Sequence, residues 1–208
     1  VLVSDPVNAG KVSFTPEKDG GPAKLTLNGA NITTGYDDSG IYYHGKDPLN
    51  IVLADGSVNT IEKTEENGLE NGIFVDDSSS DPAGLAISGK GKLTVSGGHD
   101  GIYANYSEVS ISGSTVTAIG GWEGIYSDSG IDIIDSTVTT EGGDGIYVNG
   151  NVNISGGNVN ATGIYSGINA EESVTINSGN IEAEGRYGIT GELVTINDGT
   201  VNATGMTT

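Results

Sequence analysis

Residues 101–126 read GIYANYSEVSISGSTVTAIGGWEGIY, a stretch that begins and ends with the tripeptide Gly-Ile-Tyr. Between the two copies, apolar and polar residues alternate in two short runs, around Val109 and around Val116. Alternation with a period of two is typical of a β-strand that buries one face. A Ser-Gly-Ser segment separates the runs and has the composition of a turn. One unit therefore predicts three short strands joined by turns.

The Gly-Ile pair recurs along the chain, and from Gly101 onward its in-phase copies are 21–23 residues apart. In-phase copies begin at Gly40, Gly72, Gly101, Gly124, Gly145, Gly167 and Gly188, and an out-of-phase copy begins at Gly163. A unit this short cannot bury its own apolar side chains, so the units must stack around one shared interior. The sequence therefore predicts an all-β fold, a right-handed single-stranded parallel β-helix of about eight rungs. The predicted rungs begin near Leu25, Leu49, Leu85, Val109, Ile131, Val152, Val174 and Val194.

Two segments interrupt this period. Residues 1–24 contain three prolines and lack the repeat, so we predict an N-terminal capping segment that protects the first rung from edge pairing. Residues 25–208 are predicted to form the β-helix, with a loop insertion at about residues 62–82, which are rich in acidic residues and serine. The last rung is incomplete, and we expect the native chain to continue beyond Thr208.

Composition excludes several classes of protein. The 208 residues include 28 Asp and Glu against 8 Lys and Arg, a net charge of −20, which excludes electrostatic binding of nucleic acid or anionic membrane. The longest apolar runs are far too short for membrane insertion. Without cysteine there is neither a disulfide framework nor a thiolate metal site.

An acidic residue precedes Gly-Ile in three consecutive rungs, at Asp100, Glu123 and Asp144. Stacking would place these side chains about 5 Å apart, where two full charges repel by ~3 kcal/mol at an effective dielectric of 20. The column must therefore take up protons, splay into water as a solvated ridge, or hold a cation. Oxygen ligands of this kind suit calcium. Further candidate calcium ligands are Glu108 and Asp128, which follow the column, and Asp76 and Asp77 in the predicted loop.

Histidine contributes little to this prediction. Only His44 and His99 are present, and no spacing pairs them, so an imidazole-rich transition-metal site is not expected. Both are interpreted as surface residues.

An aromatic residue follows Gly-Ile in five rungs. These residues are Tyr42, Phe74, Tyr103, Tyr126 and Tyr147, and Trp122 lies in a nearby turn. Because the isoleucine points inward, the aromatic ring should point outward. Flat rings on a rigid face can stack on sugar rings, which predicts carbohydrate binding. The alternative is a structural ladder in which the rings cover the seam between strands and turns.

The sequence lacks a recognisable catalytic site. β-Helix pectin lyases need an Arg or Lys base beside calcium, and Arg186 is the only cationic residue after Lys92. Glycoside hydrolysis needs two carboxylates at a defined separation. Among 28 acidic residues some pair will always have a plausible spacing, so this feature does not indicate catalysis. We therefore predict that the protein is not an enzyme.

Several stretches resemble one known family. They are LTLNGANI at residues 25–32, GIY at residues 40–42, IVLADGSVNTI at residues 51–61, LTVSG at residues 93–97 and HDGI at residues 99–102. They are similar to the bacterial extracellular carbohydrate-binding right-handed parallel β-helix proteins, whose fold is related to that of polysaccharide lyases. The resemblance implies calcium-dependent stability and binding of cellulose-like or pectin-like polymers, without a general catalytic motif. The acid before Gly-Ile carries over to Asp100, Glu123 and Asp144, whereas Ser166 and Tyr187 depart from the pattern.

Together these features predict a secreted or surface-anchored bacterial module with structural calcium. It would bind a plant cell-wall or host polysaccharide or act as an adhesin. The main alternative is a passive structural spacer of a cell-surface protein, and a calcium-dependent polysaccharide lyase ranks third.

Overall fold

The computed structural model describes residues 2–3, 11–16, 21–34, 39–63, 70–76 and 84–205. Within these residues the chain is an all-β parallel solenoid of about 7 turns, which confirms the predicted fold class and lies close to the predicted eight rungs. The strands are β1 (Leu2–Val3), β2 (Lys11–Thr15), β3 (Ala23–Asn28), β4 (Asn31–Thr34), β5 (Ile41–Tyr43), β6 (Leu49–Leu53), β7 (Val58–Lys63), β8 (Ile73–Asp76), β9 (Leu85–Ser88), β10 (Lys92–Ser96), β11 (Ile102–Asn105), β12 (Glu108–Ser112), β13 (Thr115–Ile119), β14 (Glu123–Ser127), β15 (Gly130–Val148), β16 (Asn151–Ala170), β17 (Ser173–Gly185), β18 (Tyr187–Thr190), β19 (Leu193–Ile196) and β20 (Thr200–Gly205).

Parallel pairing between successive rungs builds three faces. The first face contains β3, β6, β9, β12, the N-terminal parts of β15, β16 and β17, and β19. The second contains β4, β7, β10, β13, the middle parts of β15 and β16, the C-terminal part of β17, and β20. The third contains β5, β8, β11, β14, the C-terminal parts of β15 and β16, and β18.

The interior is a continuous apolar column. The isoleucines of five Gly-Ile pairs on the third face are fully buried, namely Ile41, Ile73, Ile102, Ile125 and Ile146. Leu, Val and Ile side chains from the other two faces complete the core. Burial alternates along the strands because successive side chains point to opposite sides of each strand. The aromatic residue after each of these isoleucines therefore points outward, as predicted.

The N-terminal strands occupy the edge of the first rung. β1 pairs antiparallel with β5, and β2 pairs antiparallel with β3, which belongs to the solenoid. Val12 on β2 packs against the apolar core. These pairings cover backbone groups of the first rung that would otherwise be open to other strands.

The predicted loop insertion at residues 62–82 is wrong in part. β8 lies inside that range and pairs with β5 and β11 on the third face. Its Gly72-Ile73-Phe74 segment continues the repeat, so the chain returns to the stack there. Residues 64–69 and 77–83 lie outside the described residues.

Across the parts of the chain that the structure describes, no helix is long or apolar enough to cross a membrane.

Candidate functional site

The third face carries a continuous line of aromatic rings on its outer surface. This aromatic ladder consists of Tyr42, Phe74, Tyr103, Tyr126 and Tyr147. The centroids of neighbouring rings are 5.3, 5.0, 4.8 and 5.6 Å apart, in that order. These distances match the spacing of adjacent strands in a sheet. The ladder is therefore a direct result of the register of the Gly-Ile repeat.

The rings of the aromatic ladder pack against one another. The Tyr126 and Tyr147 rings are stacked with 12° between their planes, and the other neighbouring pairs are tilted. Every ring is only partly exposed. Because each ring lies over the next, much of its face is covered by its neighbours. This is the geometry of a structural ladder, and carbohydrate binding by these five residues stays a prediction.

Three hydroxyl groups of the aromatic ladder donate hydrogen bonds to carboxylates, that of Tyr42 to Asp76 and those of Tyr126 and Tyr147 to acids nearer the C-terminus. The Tyr126 hydroxyl donates to Asp128 Oδ1 at 2.7 Å, and the Tyr147 hydroxyl donates to Glu171 Oε1 at 2.8 Å. Burial raises the pKa of Tyr147 to about 12, and the bond to Glu171 adds to the shift. Burial and the bond to Asp128 raise the pKa of Tyr126 as well. Both hydroxyls stay protonated and hold the edge of the ladder in place.

Asp128, a predicted calcium ligand, is hydrogen-bonded to the aromatic ladder. Its two carboxylate oxygens accept hydrogen bonds from the Tyr126 hydroxyl, the Asn149 side-chain amide at 2.7 Å and the Tyr106 backbone N–H at 3.0 Å. Asp128 follows β14, whereas Glu123 begins that strand. Five extended residues span about 16 Å. The structure therefore places Asp128 with the tyrosines rather than with the acid column.

Two more predicted calcium ligands, Asp76 and Glu108, also lie apart from the column. Asp76 accepts hydrogen bonds from the Asn105 amide at 2.9 Å and the Tyr42 hydroxyl at 3.2 Å. Glu108 is exposed at the start of β12 on the first face, where partial burial and the Asp132 charge raise its pKa. Asp77 lies outside the described residues.

The acid column itself forms a compact cluster with a histidine. Asp100 is fully buried, and its Oδ1 accepts a hydrogen bond from the backbone N–H of Glu123 at 3.0 Å. His99 Nδ1 lies 3.0 Å from Asp100 Oδ2. Ligand atoms of His99, Asp100 and Glu123 all lie within 4.8 Å of one another. His99 is partly exposed, as expected for a surface residue, but its ring nitrogen belongs to this cluster.

Asp100 and Glu123 are placed to share a proton. Burial raises the pKa of Glu123 to about 8, and the hydrogen bond and negative charge of Asp100 add to the shift. Burial also raises the pKa of Asp100, to about 6, although its bonds to Glu123 act in the opposite direction. Since two adjacent carboxylates cannot both ionise cheaply, Glu123 carries the proton when no cation is bound.

Asp144 extends the column by one rung. It pairs in register with Glu123 and is only 7% exposed. Its Oδ1 is one of three buried side-chain atoms without a hydrogen-bond partner among the described residues. An orphaned buried carboxylate oxygen is costly and is a free ligand atom. Carboxylates on three successive rungs fit a cation that prefers oxygen ligands, such as calcium. The imidazole of His99 adds a nitrogen ligand of the kind that suits zinc.

A second outward column runs along the turns that precede the third face. We define the turn column as His99, Trp122, Gly143, Tyr165 and Arg186, each of which lies immediately before the acid-column position of its rung. Trp122 is 59% exposed and Tyr165 is 62% exposed. Tyr187, directly after the column, is 53% exposed. These are the most open aromatic side chains next to the acid column.

Tyr165 and Tyr187 are missing from the predicted site. Tyr165 belongs to the out-of-phase Gly163-Ile-Tyr copy, in which Ile164 is exposed instead of buried. Ile168 of the following Gly-Ile pair enters the core and pairs with Ile146. Counting back from Gly167 would have aligned Tyr165 with Trp122, so the signal was present in the spacing.

Comparison with known proteins gives a match at the level of a protein family. A family model described as "Carbohydrate-binding domain-containing protein" matches residues 3–206. No curated protein and no solved structure matches the chain significantly. The family match spans nearly the whole chain, including both columns and the aromatic ladder.

Proposed function

The chain belongs to the carbohydrate-binding domain-containing family, and from that premise we propose that it is a non-catalytic extracellular module that binds polysaccharide. The family match supports a polysaccharide-binding role and a glycan partner. We further propose that the module is bacterial, that it acts at the cell surface as an adhesin, and that its glycan comes from plant cell walls or from a host.

The exposed aromatic side chains in and directly after the turn column carry this proposal. Trp122, Tyr165 and Tyr187 are each more than half exposed on a rigid stack of turns. Large exposed rings on a monomer mark interaction surfaces. Aromatic rings also combine an apolar face with a polar edge, which suits the mixed surface of a sugar. A polymer lying along the solenoid axis would meet these residues in sequence.

The charges around these rings argue against catalysis. Arg186 is the only cationic residue after Lys92, and its guanidinium lies over the Tyr187 ring, 5.7 Å from the centroid. A guanidinium held on a ring is positioned as a stacking partner.

Polysaccharide retention tests the proposal directly. The wild-type protein would be mixed with insoluble cellulose, xylan, mannan, chitin and cross-linked pectate in calcium-containing buffer, and the unbound fraction measured. We expect retention on at least one polymer and release by a soluble polymer of the same sugar. Failure to bind any polymer would favour the passive spacer. Unsaturated uronide absorbance during incubation with pectate would instead indicate a lyase.

We also propose that calcium is held by Asp100, Glu123 and Asp144. Bound calcium would supply positive charge to three neighbouring carboxylates, and the free Asp144 Oδ1 supports its binding there. Because the unfolded chain lacks this arrangement, calcium at 100 times its Kd would add about 2.7 kcal/mol of stability. That corresponds to a rise in melting temperature of roughly 5–10 °C.

The calcium proposal is tested by melting the protein with calcium and with a chelator. We expect Asp144→Asn to reduce the calcium-dependent rise, and Glu182→Gln, at an exposed acid on the second face, to leave it intact. An identical melting temperature with calcium and with chelator contradicts the proposal. A response to zinc alone would assign the cluster to His99 and its neighbours.

A further inference from the structure

The turn column contains a gap between its aromatic residues. The His99 and Trp122 rings are stacked, with centroids 4.9 Å apart and 16° between their planes. The next rung has Gly143 at this position, and the rung after that has Tyr165. One face of Trp122 is therefore covered by His99, while the neighbouring position in the other direction has no side chain.

Backbone packing explains the glycine. The carbonyl oxygen of Trp122 accepts hydrogen bonds from the N–H groups of Gly143 and Asp144. A Cβ atom on Gly143 would lie 2.7 Å from that oxygen, a distance that real Cβ atoms essentially never show. The same Cβ would lie 3.5 Å from Cε2 of Tyr165, so the tyrosine ring borders the empty position. The close stacking of two turns thus leaves a slot between Trp122 and Tyr165.

The slot has the size of a single sugar ring. It is a cleft of about 210 Å³ lined by Gly121, Trp122, Glu123, Gly143, Ile164 and Tyr165. Drug-sized ligands occupy roughly 300–1,000 Å³, so this cleft suits a smaller group. Two rungs separate the backbones of Trp122 and Tyr165 by roughly 9.5 Å. A ring in van der Waals contact with both sides needs about 7–8 Å.

The cleft continues into a shallow groove along the turns. The groove has a volume of about 530 Å³, shares Gly121 and Ile164 with the cleft, and has glycine at positions 120, 142 and 163. Because these glycines carry no side chains, nothing projects from the floor of the groove at their positions. A polymer with one ring in the cleft therefore has room to continue across the neighbouring rungs.

The charge around the cleft selects among polysaccharides. Glu123 lines the cleft and Glu141 lines the groove, and Asp100 and Asp144 are the neighbours of Glu123 in the acid column. The residues that line the cleft and the groove include no Lys or Arg. When the acid column holds no calcium, a uronic acid ring would bring a carboxylate into this field and would be repelled. A neutral ring would avoid that repulsion and use its hydroxyls as partners for the Glu123 carboxyl group.

We propose that the cleft between Trp122 and Tyr165 is a subsite for one ring of a neutral polysaccharide. This inference rests on the proposed polysaccharide-binding function and adds the position of the site and the class of its ligand. Stacking against the two aromatic side chains supplies the apolar contact, and the acidic surroundings exclude pectate-like polymers.

Tryptophan fluorescence tests the cleft directly. Trp122 is the single tryptophan of the 208-residue sequence, so its emission reports on this site alone. With a chelator present, so that no bound calcium offsets the acidic charge, the wild-type protein would be titrated with neutral hexasaccharides of glucose, mannose and xylose, and with hexagalacturonate. We expect at least one neutral sugar to shift the emission to shorter wavelength in a saturable manner. Hexagalacturonate is expected to bind at least about tenfold more weakly.

Two variants separate a binding contact from a general effect. Tyr165→Ala should weaken the best neutral sugar about tenfold or more, as expected for an aromatic anchor. Tyr106→Asn is the matched control, since Tyr106 is 60% exposed on a different turn. Its φ is 55°, which asparagine tolerates. We expect this variant to bind like the wild type.

The outcomes distinguish this inference from the proposed function. Retention on insoluble polysaccharide without any change in Trp122 emission would overturn the cleft and leave polysaccharide binding intact. Tighter binding of hexagalacturonate than of every neutral sugar would overturn the ligand class. Absence of both retention and fluorescence change would overturn the proposed function and the inference together.

Discussion

The aromatic ladder and the turn column are both outward lines of side chains, but they are built differently. In the ladder, five successive rungs each supply a ring, and neighbouring centroids are 4.8–5.6 Å apart. In the turn column, the residue type changes at every rung and one position has no side chain. Regular repetition makes the ladder rings cover one another, whereas irregularity leaves Trp122 and Tyr165 more than half exposed.

This difference indicates that the aromatic ladder and the turn column have different roles. A ring that lies on the next ring stabilises the stack, because its apolar surface is removed from water. A ring next to a gap keeps its surface available for a ligand. We therefore expect changes in the ladder to alter stability and changes in the turn column to alter binding.

The largest effect is expected from Tyr126→Ala in the middle of the ladder. The substitution removes contacts with Tyr103 and Tyr147 and deprives Asp128 of a donor. Since the ring is half-buried, we expect a loss of about 2–3 kcal/mol in the free energy of unfolding. Urea unfolding measures this loss. A loss no larger than that of Trp122→Ala would remove the distinction between the two regions.

A smaller effect is expected from pH, acting on the acid column that lies between the two regions. The pKa values of Glu123 and Asp100 are raised in the folded protein, so folding favours their protonated forms. Their contribution to stability is complete below the unfolded pKa values and is lost as pH rises toward about 8. Because Glu123 is partly exposed to solvent, the loss is discounted to about 1–2 kcal/mol.

Urea unfolding at pH 5 and pH 8 with a chelator present measures this contribution. Glu123→Gln is the control, because a glutamine cannot titrate, and its stability should change less between the two pH values. A wild-type protein that gains stability over the same interval, relative to Glu123→Gln, would contradict the shared proton.

A loss of about 1 kcal/mol is expected from Asp128→Asn. The substitution removes the charge that accepts hydrogen bonds from the Tyr126 hydroxyl and the Asn149 amide. Because Asp128 bonds to the aromatic ladder and lies apart from the acid column and the turn column, the variant should keep the full response to calcium and to sugars. If the variant instead loses the calcium response, Asp128 is a calcium ligand and the prediction is contradicted.

The smallest effect on stability is expected from Trp122→Ala. The side chain is 59% exposed and its main ring contact is with His99, so we expect a change below about 0.5 kcal/mol. Retention on neutral polysaccharide should nevertheless fall about tenfold or more. Paired measurements of urea unfolding and retention test both statements, and a large loss of stability with intact retention would reverse the assignment of the two regions.

Much of the fold could be predicted because the repeat is regular. The Gly-Ile pairs at Gly101, Gly124 and Gly145 define the third face, and their isoleucines are buried as expected. The prediction at residues 62–82 differs from the structure because the spacing changes there, and a longer segment resembles a loop even though Gly72-Ile73-Phe74 continues the repeat. The spacing of the Gly-Ile repeat predicts that the rungs stack. It does not predict where a segment longer than one rung rejoins the stack.

Less of the candidate site could be predicted, because its features depend on contacts between rungs. His99 was interpreted as a surface residue, yet its ring stacks on Trp122 and its Nδ1 approaches Asp100. Asp128 was expected near the acid column, but it bonds to Tyr126 at the far end of the strand. Both outcomes depend on the direction of side chains in turns, and alternation along a strand does not extend into turns.

The sequence by itself determined the solenoid and its columns, because a side chain repeated once per rung must align when the rungs stack in register. Only the tertiary structure decided which columns are covered and which are open. The physical reason is that exposure depends on the neighbour above and below: Tyr103 and Tyr147 cover Tyr126, whereas Gly143 leaves the face of Trp122 uncovered.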